Sequence, residues 1–428
     1  MLSAYLLFVA AMLVVFFQYP PLQDYTEWIY QSFILDELLS GKSSSYFYVR
    51  DYPVPYLASQ VIMAGFSHLA GPVAAGKIYL VIYFLFAGLL SVRFVQRYQL
   101  NSVLAYPLLL SCIVCNSSFW SGFINYQIGL LVLMGYLILS DSQKSKIWVN
   151  VIFSLLAFAC HGFCLLAFGV IAGVRSLSRG WRSVLEFAVA CVPVALLTIW
   201  YVAVRNNDAV IGLETFAPYF SMKFWAYKFY TLTKAGPYQS FMLGSVCDVD
   251  RTPVLYYAGA LVNSAFGLLL IFIQVSVFRN FKKSEDSYLY VASIILGLAY
   301  IFAPSLALQV VNPGERMLYP QLLCVFALGL RQNGLVGAAK RCVRWQVGVA
   351  YVFLIAAIIN LTYATGRQGY ATVTAAEFAD AKKSYLNILY WHRPYQYKEL
   401  YDHFSEVYKT GGAASVKISP TSIIANKK

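Results

Sequence analysis

Long apolar runs separated by short polar turns dominate the chain, and many of these runs approach the ~20 residues that a membrane-crossing helix needs. Predicted crossings lie at 2–17, 71–94, 101–115, 121–139, 181–204, 254–278, 287–310, 317–330 and 347–363, with a further pair within 147–174. The run 147–174 is too long for one crossing, and the polar His161-Gly162 step marks a break that gives a tight helical pair. The pattern predicts an all-α polytopic membrane protein with about 11 transmembrane helices.

The first loop, residues 18–70, is predicted to hold two helices that lie in the membrane interface. Segment 54–70 is short for a crossing, follows Pro53 and carries the polar residues Gln60 and His68. These features favour a helix lying on the membrane over one that spans it. The other helix begins near Asp24.

The distribution of lysine and arginine orients these helices. Each short loop on one side carries at least two basic residues, whereas Arg316 is the only basic residue in a short turn on the other side. Because basic loops stay in the cytoplasm, the first loop is predicted to face outward, with a cytoplasmic N-terminus and a periplasmic C-terminus. The same face would carry a second large loop at 205–253, a small helical segment at 364–410 and a disordered tail at 411–428.

Composition excludes a soluble globular protein and nucleic acid as a partner. The chain is 60% hydrophobic and only 12% charged, against about 25% charged residues in an average soluble domain. The net charge of +13 lies largely in the short loops, where retention in the cytoplasm explains it. The lipid bilayer is the partner that this composition predicts.

Acidic residues are concentrated in the first outer loop. Five of the chain's 19 acidic residues lie in this stretch: Asp24, Glu27, Asp36, Glu37 and Asp51. In a helix starting near Asp24, the side chains of Asp24, Glu27 and Gln31 share one face. Asp24 and Glu27 are therefore candidate catalytic residues, with Asp24 as a general base. The alternative is a capping box, in which Asp24 only caps the helix.

Arg316 is the leading candidate for binding a phosphate, because it follows a Pro-Gly turn at the outer end of a crossing. Its alternatives are a local ion pair with Glu315 and contact with lipid headgroups. Arg50 and Asp51 form a similar but weaker candidate pair in the first loop. With Asp24 and Glu27, Asp51 would suit Mg²⁺ or Mn²⁺, although the spacing does not require a metal.

Two polar positions within apolar runs complete the candidate substrate-binding set, which comprises Arg316, Glu315, Arg50, Asp51, His161 and Asn125. A histidine inside the membrane suggests function, but a hydrogen bond between helices would satisfy His161 equally well. Asn125 opens a crossing on the outer side, where either a sugar or a neighbouring helix would accept its hydrogen bonds.

Several short segments, taken in order, resemble one group of proteins. They are PLQD at 21–24, YPVPY at 52–56, FWSGFINY at 119–126, His161-Gly162 and Glu315-Arg316. Together they resemble bacterial membrane proteins with the layout of the GT-C glycosyltransferases, over roughly residues 1–330. The resemblance implies a GT-C-like transmembrane domain at 1–363, a catalytic acidic residue in the first outer loop, for which Asp24 fits best, and a polyprenyl-phosphate-linked sugar donor in a bacterial inner membrane.

Two functions follow from this reasoning. The first is an inverting glycosyltransferase that moves a sugar from a polyprenyl-phosphate-linked donor to an extracytoplasmic glycan, lipid or protein acceptor. The alternative is a non-catalytic or transporting membrane protein of the same architecture, acting in envelope polysaccharide or lipid assembly. The two differ in whether the Asp24 carboxylate is needed for chemistry.

Overall fold

The computed structural model describes residues 22, 25–42, 47–205, 213–214, 217–236, 253–279, 281, 286–304, 306–307, 310–330 and 423–426. This part of the chain is mostly helical, and five of its helices are long and apolar enough to cross a membrane. The predicted crossings at 2–17 and 347–363 and the predicted segment at 364–410 lie outside the described residues.

Two short helices form the first loop, as the sequence predicts. They are α1 (Tyr25–Leu39) and α2 (Ala58–Ala70), and strand β1 (Phe47–Val49) lies between them. The α2 helix begins only after Pro53 and Pro55, and Gly71 ends it in a left-handed conformation with φ 80°. Both helices pack against each other and against the first long helix.

The helices of the bundle follow the predicted alternation of apolar runs. In chain order they are α3 (Pro72–Tyr98), α4 (Ser102–Leu109) with its π-helical continuation Leu110–Val114, α5 (Ser117–Trp120), α6 (Ile124–Ile138), α7 (Asp141–Lys144), α8 (Ile147–Cys160), α9 (Gly162–Arg179), α10 (Trp181–Arg205), α11 (Met222–Thr233), α12 (Pro253–Arg279), α13 (Ser287–Phe302) and α14 (Pro313–Gly329). The break at His161 is confirmed, since α8 ends at Cys160 and α9 starts at Gly162.

One predicted crossing, 287–310, is too long. The α13 helix ends at Phe302, because Pro304 follows and disfavours helical backbone at Ala303, which is extended with ψ 137°. The two-residue strands β2 (Leu213–Glu214), β3 (Leu306–Ala307) and β4 (Val310–Val311) then form a small antiparallel sheet.

The prediction of disorder over 411–428 is wrong for residues 424–426. Strand β5 (Ile424–Asn426) pairs antiparallel with β1, with Phe47 opposite Asn426. Ile424 is buried with Phe47 and Tyr30, so apolar packing gives this strand a stable position despite its small-residue surroundings. The pairing brings residues 424–426 to the first loop.

Hydrogen bonds between turns define two opposite ends of the bundle. At the first, Tyr98 donates to the Leu137 carbonyl at 3.0 Å, and the backbone N–H of Asn101 donates to the Leu330 carbonyl at 2.8 Å. At the second, which we call the site end, the Asn125 side chain accepts from the backbone N–H of Ser59 at 2.8 Å. The basic-residue bias predicts that the site end faces outward.

The α8–α9 hairpin is packed tightly and clamped at its open end. A Cβ atom on Gly129 would lie 2.4 Å from the Cys164 sulfur, so only glycine lets α6 approach the hairpin this closely. At the far end, the Arg175 guanidinium donates to the Asp141 carboxylate and carbonyl and to the Lys144 carbonyl. Burial alone would raise the pKa of Asp141, but the guanidiniums of Arg175 and Arg179 hold it below its usual value.

We expect the Arg175→Ala variant to unfold at a clearly lower temperature. The Arg175 side chain is only 3% exposed, and removing it deletes its hydrogen bonds to the Asp141 carboxylate and to the Asp141 and Lys144 carbonyls, at a cost of about 1.5–3 kcal/mol. Arg179 still pairs with Asp141 in the variant. Thermal unfolding in detergent measures the effect. Arg182→Ala is the control, because that side chain is 94% exposed and, among the residues the structure describes, pairs with Glu186 on its own helix, so its removal should change the unfolding temperature little.

Candidate functional site

Arg316 occupies the first turn of α14, at the site end of the bundle. Asn312 adopts a left-handed conformation, and Pro313 takes the first helical position, where its missing N–H costs nothing. Gly314 is required there, since a Cβ atom would lie 2.8 Å from the Tyr300 carbonyl. The helix therefore starts earlier than the predicted 317, and Arg316 lies at the positive end of the helix dipole.

The Arg316 guanidinium is buried against aromatic rings. The residue is 5% exposed, and its Cζ lies 4.3 Å from the ring centroid of Phe123 and 5.5 Å from that of Tyr126. The Tyr126 hydroxyl also donates to the Arg316 carbonyl at 2.8 Å, which fixes α6 against α14. This burial argues against the alternative that Arg316 extends to lipid headgroups.

The alternative of a local Glu315–Arg316 ion pair is also not observed. Glu315 instead accepts from the Lys234 ammonium at 2.9 Å. No ion pair between described residues includes Arg316, and its Nε is buried without a hydrogen-bond partner. Arg316 therefore carries a charge that the described residues do not neutralise.

His161 lies beside the same aromatic residue. Its ring is 5.1 Å from the Tyr126 ring and 4.4 Å from the Tyr56 ring, both edge to face. Its Nδ1 accepts from the backbone N–H of Phe163 at 3.1 Å and caps α9, so the proton lies on Nε2. His161 is thus a neutral hydrogen-bond donor.

Asn125 contacts a neighbouring helix, as one of its two interpretations predicts. Its Oδ1 accepts from the backbone N–H of Ser59, near the start of α2, and its Nδ2 is buried without a partner. Ser59 also bonds the Tyr79 hydroxyl at 2.6 Å. Asn125 therefore couples the helix that contacts Arg316 to the first loop.

The start of α1 belongs to the same end of the bundle. Tyr25 is fully buried, and its hydroxyl lies 2.6 Å from the position of a Cβ on Gly76, in the first turns of α3. On the next turn of α3, Tyr79 donates to the Ile124 carbonyl at 3.3 Å, where α6 begins. Contacts thus run from the first residue of α1 to α6, the helix whose Tyr126 contacts Arg316.

The remaining candidates are placed differently. Asp24 lies outside the described residues, and Glu27 lies in the first turn of α1, where its side chain is not described. Arg50 donates to the Tyr52 hydroxyl, its backbone N–H donates to the Ile423 carbonyl, and Asp51 is exposed. Arg50 thus contacts Tyr52 and the residue that precedes β5, and neither contact joins the pair to Arg316.

Metal binding gains no support within the described part of the chain, where no group of three or more histidine, cysteine, aspartate or glutamate side chains is arranged to hold an ion. Of the three carboxylates considered for Mg²⁺ or Mn²⁺, only the Asp51 side chain is described.

No protein-family model, curated protein or solved structure matches the chain. The geometry of the site itself therefore carries the functional argument.

Sequence reasoning missed three residues that complete the site. Tyr56 and Phe123 lie within the motifs YPVPY and FWSGFINY, and they contact His161 and Arg316 respectively. Those motif positions were the available signal. Lys234 had no such signal, because it lies 81 residues from its partner Glu315.

Proposed function

We propose that this protein is a membrane glycosyltransferase that moves a sugar from a polyprenyl-phosphate-linked donor to an extracytoplasmic glycan, lipid or protein acceptor. The proposal rests above all on Arg316, a buried cation in the first turn of a helix, for which the described residues provide no counter-ion. The proposed setting is the outer face of a bacterial inner membrane.

The energetics of Arg316 favour an anionic ligand. Burying a charge costs several kcal/mol unless it is paired, whereas a buried contact with an aromatic ring returns about 2 kcal/mol. A phosphate would supply the missing charge and accept from the Nε that lacks a partner. The Nε2–H of His161 would add a further donor.

The aromatic surroundings favour a lipid-borne phosphate over a free one. Phe123 and Tyr126 cover the guanidinium, and many large apolar side chains on the long helices are exposed, as expected for surfaces in contact with lipid. A polyprenyl phosphate combines the charge and the apolar chain that these surfaces suit.

The transfer reaction needs two groups beside the anomeric carbon of the donor sugar: a base for the acceptor and a cation that stabilises the departing phosphate. Asp24 would take the proton from the acceptor hydroxyl while the oxygen of that hydroxyl attacks the anomeric carbon. The bond from that carbon to the phosphate oxygen breaks, and the electron pair leaves with the phosphate. Arg316 would stabilise the negative charge that develops there.

Binding of farnesyl methyl phosphate to the protein in lipid nanodiscs tests the anion site. This phosphodiester carries one negative charge and does not titrate near neutral pH. Any change in affinity with pH therefore comes from titration of groups on the protein. We expect saturable binding that inorganic phosphate displaces only weakly. Equal affinity for farnesol, which has no phosphate, would contradict the proposal.

The pH dependence of this binding follows from the groups around the site. The Phe163 N–H donates to Nδ1 of His161 and favours the neutral ring, so affinity should be constant from about pH 6 to 7. Lys228 lies near Gly314, and burial lowers its pKa to about 8, while Glu315 works in the opposite direction. Affinity should fall above pH 8 as Lys228 loses its charge.

A further inference from the structure

The charge of Arg316 is available only because its neighbour Glu315 is engaged elsewhere. Both residues lie in the first turn of α14 and both are at least nine-tenths buried. A buried carboxylate next to a buried guanidinium would ordinarily pair with it. Glu315 instead accepts from Lys234, and the Glu315 side chain is only 7% exposed in this pair.

Helix α11 delivers Lys234 to this position. Lys228 donates to the carbonyls of Tyr300 and Ala303, both at 2.9 Å, and so caps the C-terminal end of α13. Tyr227 donates to the side chain of Asn312, at the turn that starts α14. These contacts dock α11 against both sides of the turn, immediately before Lys234.

The electrostatics of Lys234 agree with this arrangement. Burial alone would lower the pKa of Lys234, but the Glu315 carboxylate overcomes burial and raises it. The ammonium also lies 5.0 Å from the Tyr230 ring. Lys234 therefore remains charged near neutral pH and holds Glu315 continuously.

We propose that Lys234 is a positioning residue that keeps Glu315 away from Arg316, leaving the guanidinium for the donor phosphate. This inference rests on the proposed function. Without Lys234, Glu315 would be a buried carboxylate next to Arg316 in the first turn of α14, and the ammonium of Lys228 also acts on it but is held by the carbonyls of Tyr300 and Ala303. An internal ion pair would then compete with the ligand.

Four variants in nanodiscs, with farnesyl methyl phosphate as the probe, test the inference. Lys234→Met should weaken binding by at least about tenfold, because the freed carboxylate takes the Arg316 charge. Glu315→Gln should bind at least as well as the wild type. The Lys234→Met/Glu315→Gln double variant should return to within about threefold of Glu315→Gln. Lys234→Arg should keep the pair and bind like the wild type.

The rescue separates a charge effect from simple loss of packing. If the pair only stabilised the fold, the double variant would bind as weakly as Lys234→Met, and that result would overturn the inference. Wild-type affinity in Lys234→Met would overturn it as well. Lys223→Met is the matched control, since Lys223 is an exposed lysine on the same helix and its loss should leave binding unchanged.

The same experiments distinguish a failure of the proposed function from a failure of this inference. If Arg316→Gln removes binding while Lys234→Met does not, only the role of Lys234 is wrong. If Arg316→Gln leaves binding intact, the anion site itself is wrong, whatever Lys234 does. If Lys234→Met does not fold, the double variant and Lys234→Arg still decide the question.

Discussion

Replacing Arg316 with glutamine should weaken binding of farnesyl methyl phosphate by about 100-fold, because the variant loses a charge-assisted contact in a buried site. Glutamine keeps polar donors and a similar length, so the loss of affinity measures the effect of removing the positive charge. Titration in nanodiscs measures the change. The fold should be retained, since no ion pair or side-chain hydrogen bond between described residues depends on this guanidinium.

Arg316→Lys should fall between the wild type and the glutamine variant. Lysine keeps the charge but lacks the planar fork that binds two phosphate oxygens, and it packs less well on the Phe123 ring. The control is Arg182→Gln, whose side chain is 94% exposed and should not affect binding. Unchanged affinity in Arg316→Gln would contradict a phosphate site at the start of α14.

Replacing Asp24 with asparagine should lower the rate of sugar transfer by about a thousandfold while leaving the fold and the binding of the phosphodiester intact. Asparagine caps a helix about as well as aspartate, so a capping role would survive the change, whereas a general base would be lost. The measurement is release of isoprenyl phosphate from an isoprenyl phosphosugar in the presence of acceptor. Thermal unfolding of the same sample checks the fold.

The Asp24 variant also distinguishes the two functions that the sequence suggests. A carrier or accessory protein with the same architecture would bind the lipid phosphate through Arg316 and would tolerate Asp24→Asn. Full function in this variant, with binding still dependent on Arg316, would exclude the base and favour the carrier. Asp24 lies outside the described residues, so this prediction rests on the sequence.

The order of helices was predictable because apolar runs and breaker residues carry most of that information. The alternation of turns between the two ends follows the predicted crossings, and the polar His161-Gly162 step located the hairpin. The early end of α13 was also readable, since Pro304 makes helical backbone unfavourable at Ala303. The number of crossings, about 11, stays a prediction beyond the five long apolar helices described.

The pairing of side chains was not predictable in the same way. Glu315 has an arginine next to it in sequence and yet pairs with Lys234, 81 residues earlier, because the docking of α11 decides the geometry. Similarly, β5 follows a stretch of small and polar residues that suggests disorder, and only the apolar pocket around Phe47 and Ile424 explains its order. Long-range contacts of this kind leave no local signal in a single sequence.

The candidate site was predictable in part. Arg316 was singled out because it follows a Pro-Gly turn at the outer end of a crossing, and His161 because it is polar within an apolar run; both lie within 5.5 Å of the Tyr126 ring centroid. Arg50 and Asp51 were chosen as a similar charged pair in the first loop, but the described contacts of Arg50 are with Tyr52 and Ile423. Local sequence therefore selects candidates, and packing decides which of them meet.

The most direct test of the account is an electron cryo-microscopy structure of the protein in a nanodisc with a bound isoprenyl phosphosugar. The account predicts that the phosphorus lies within about 5 Å of the Arg316 guanidinium, with the Asp24 carboxylate in the same cavity and facing the anomeric carbon. A phosphate bound at the opposite end of the bundle, near Arg175, or an Asp24 carboxylate more than about 15 Å from the phosphorus, would contradict it.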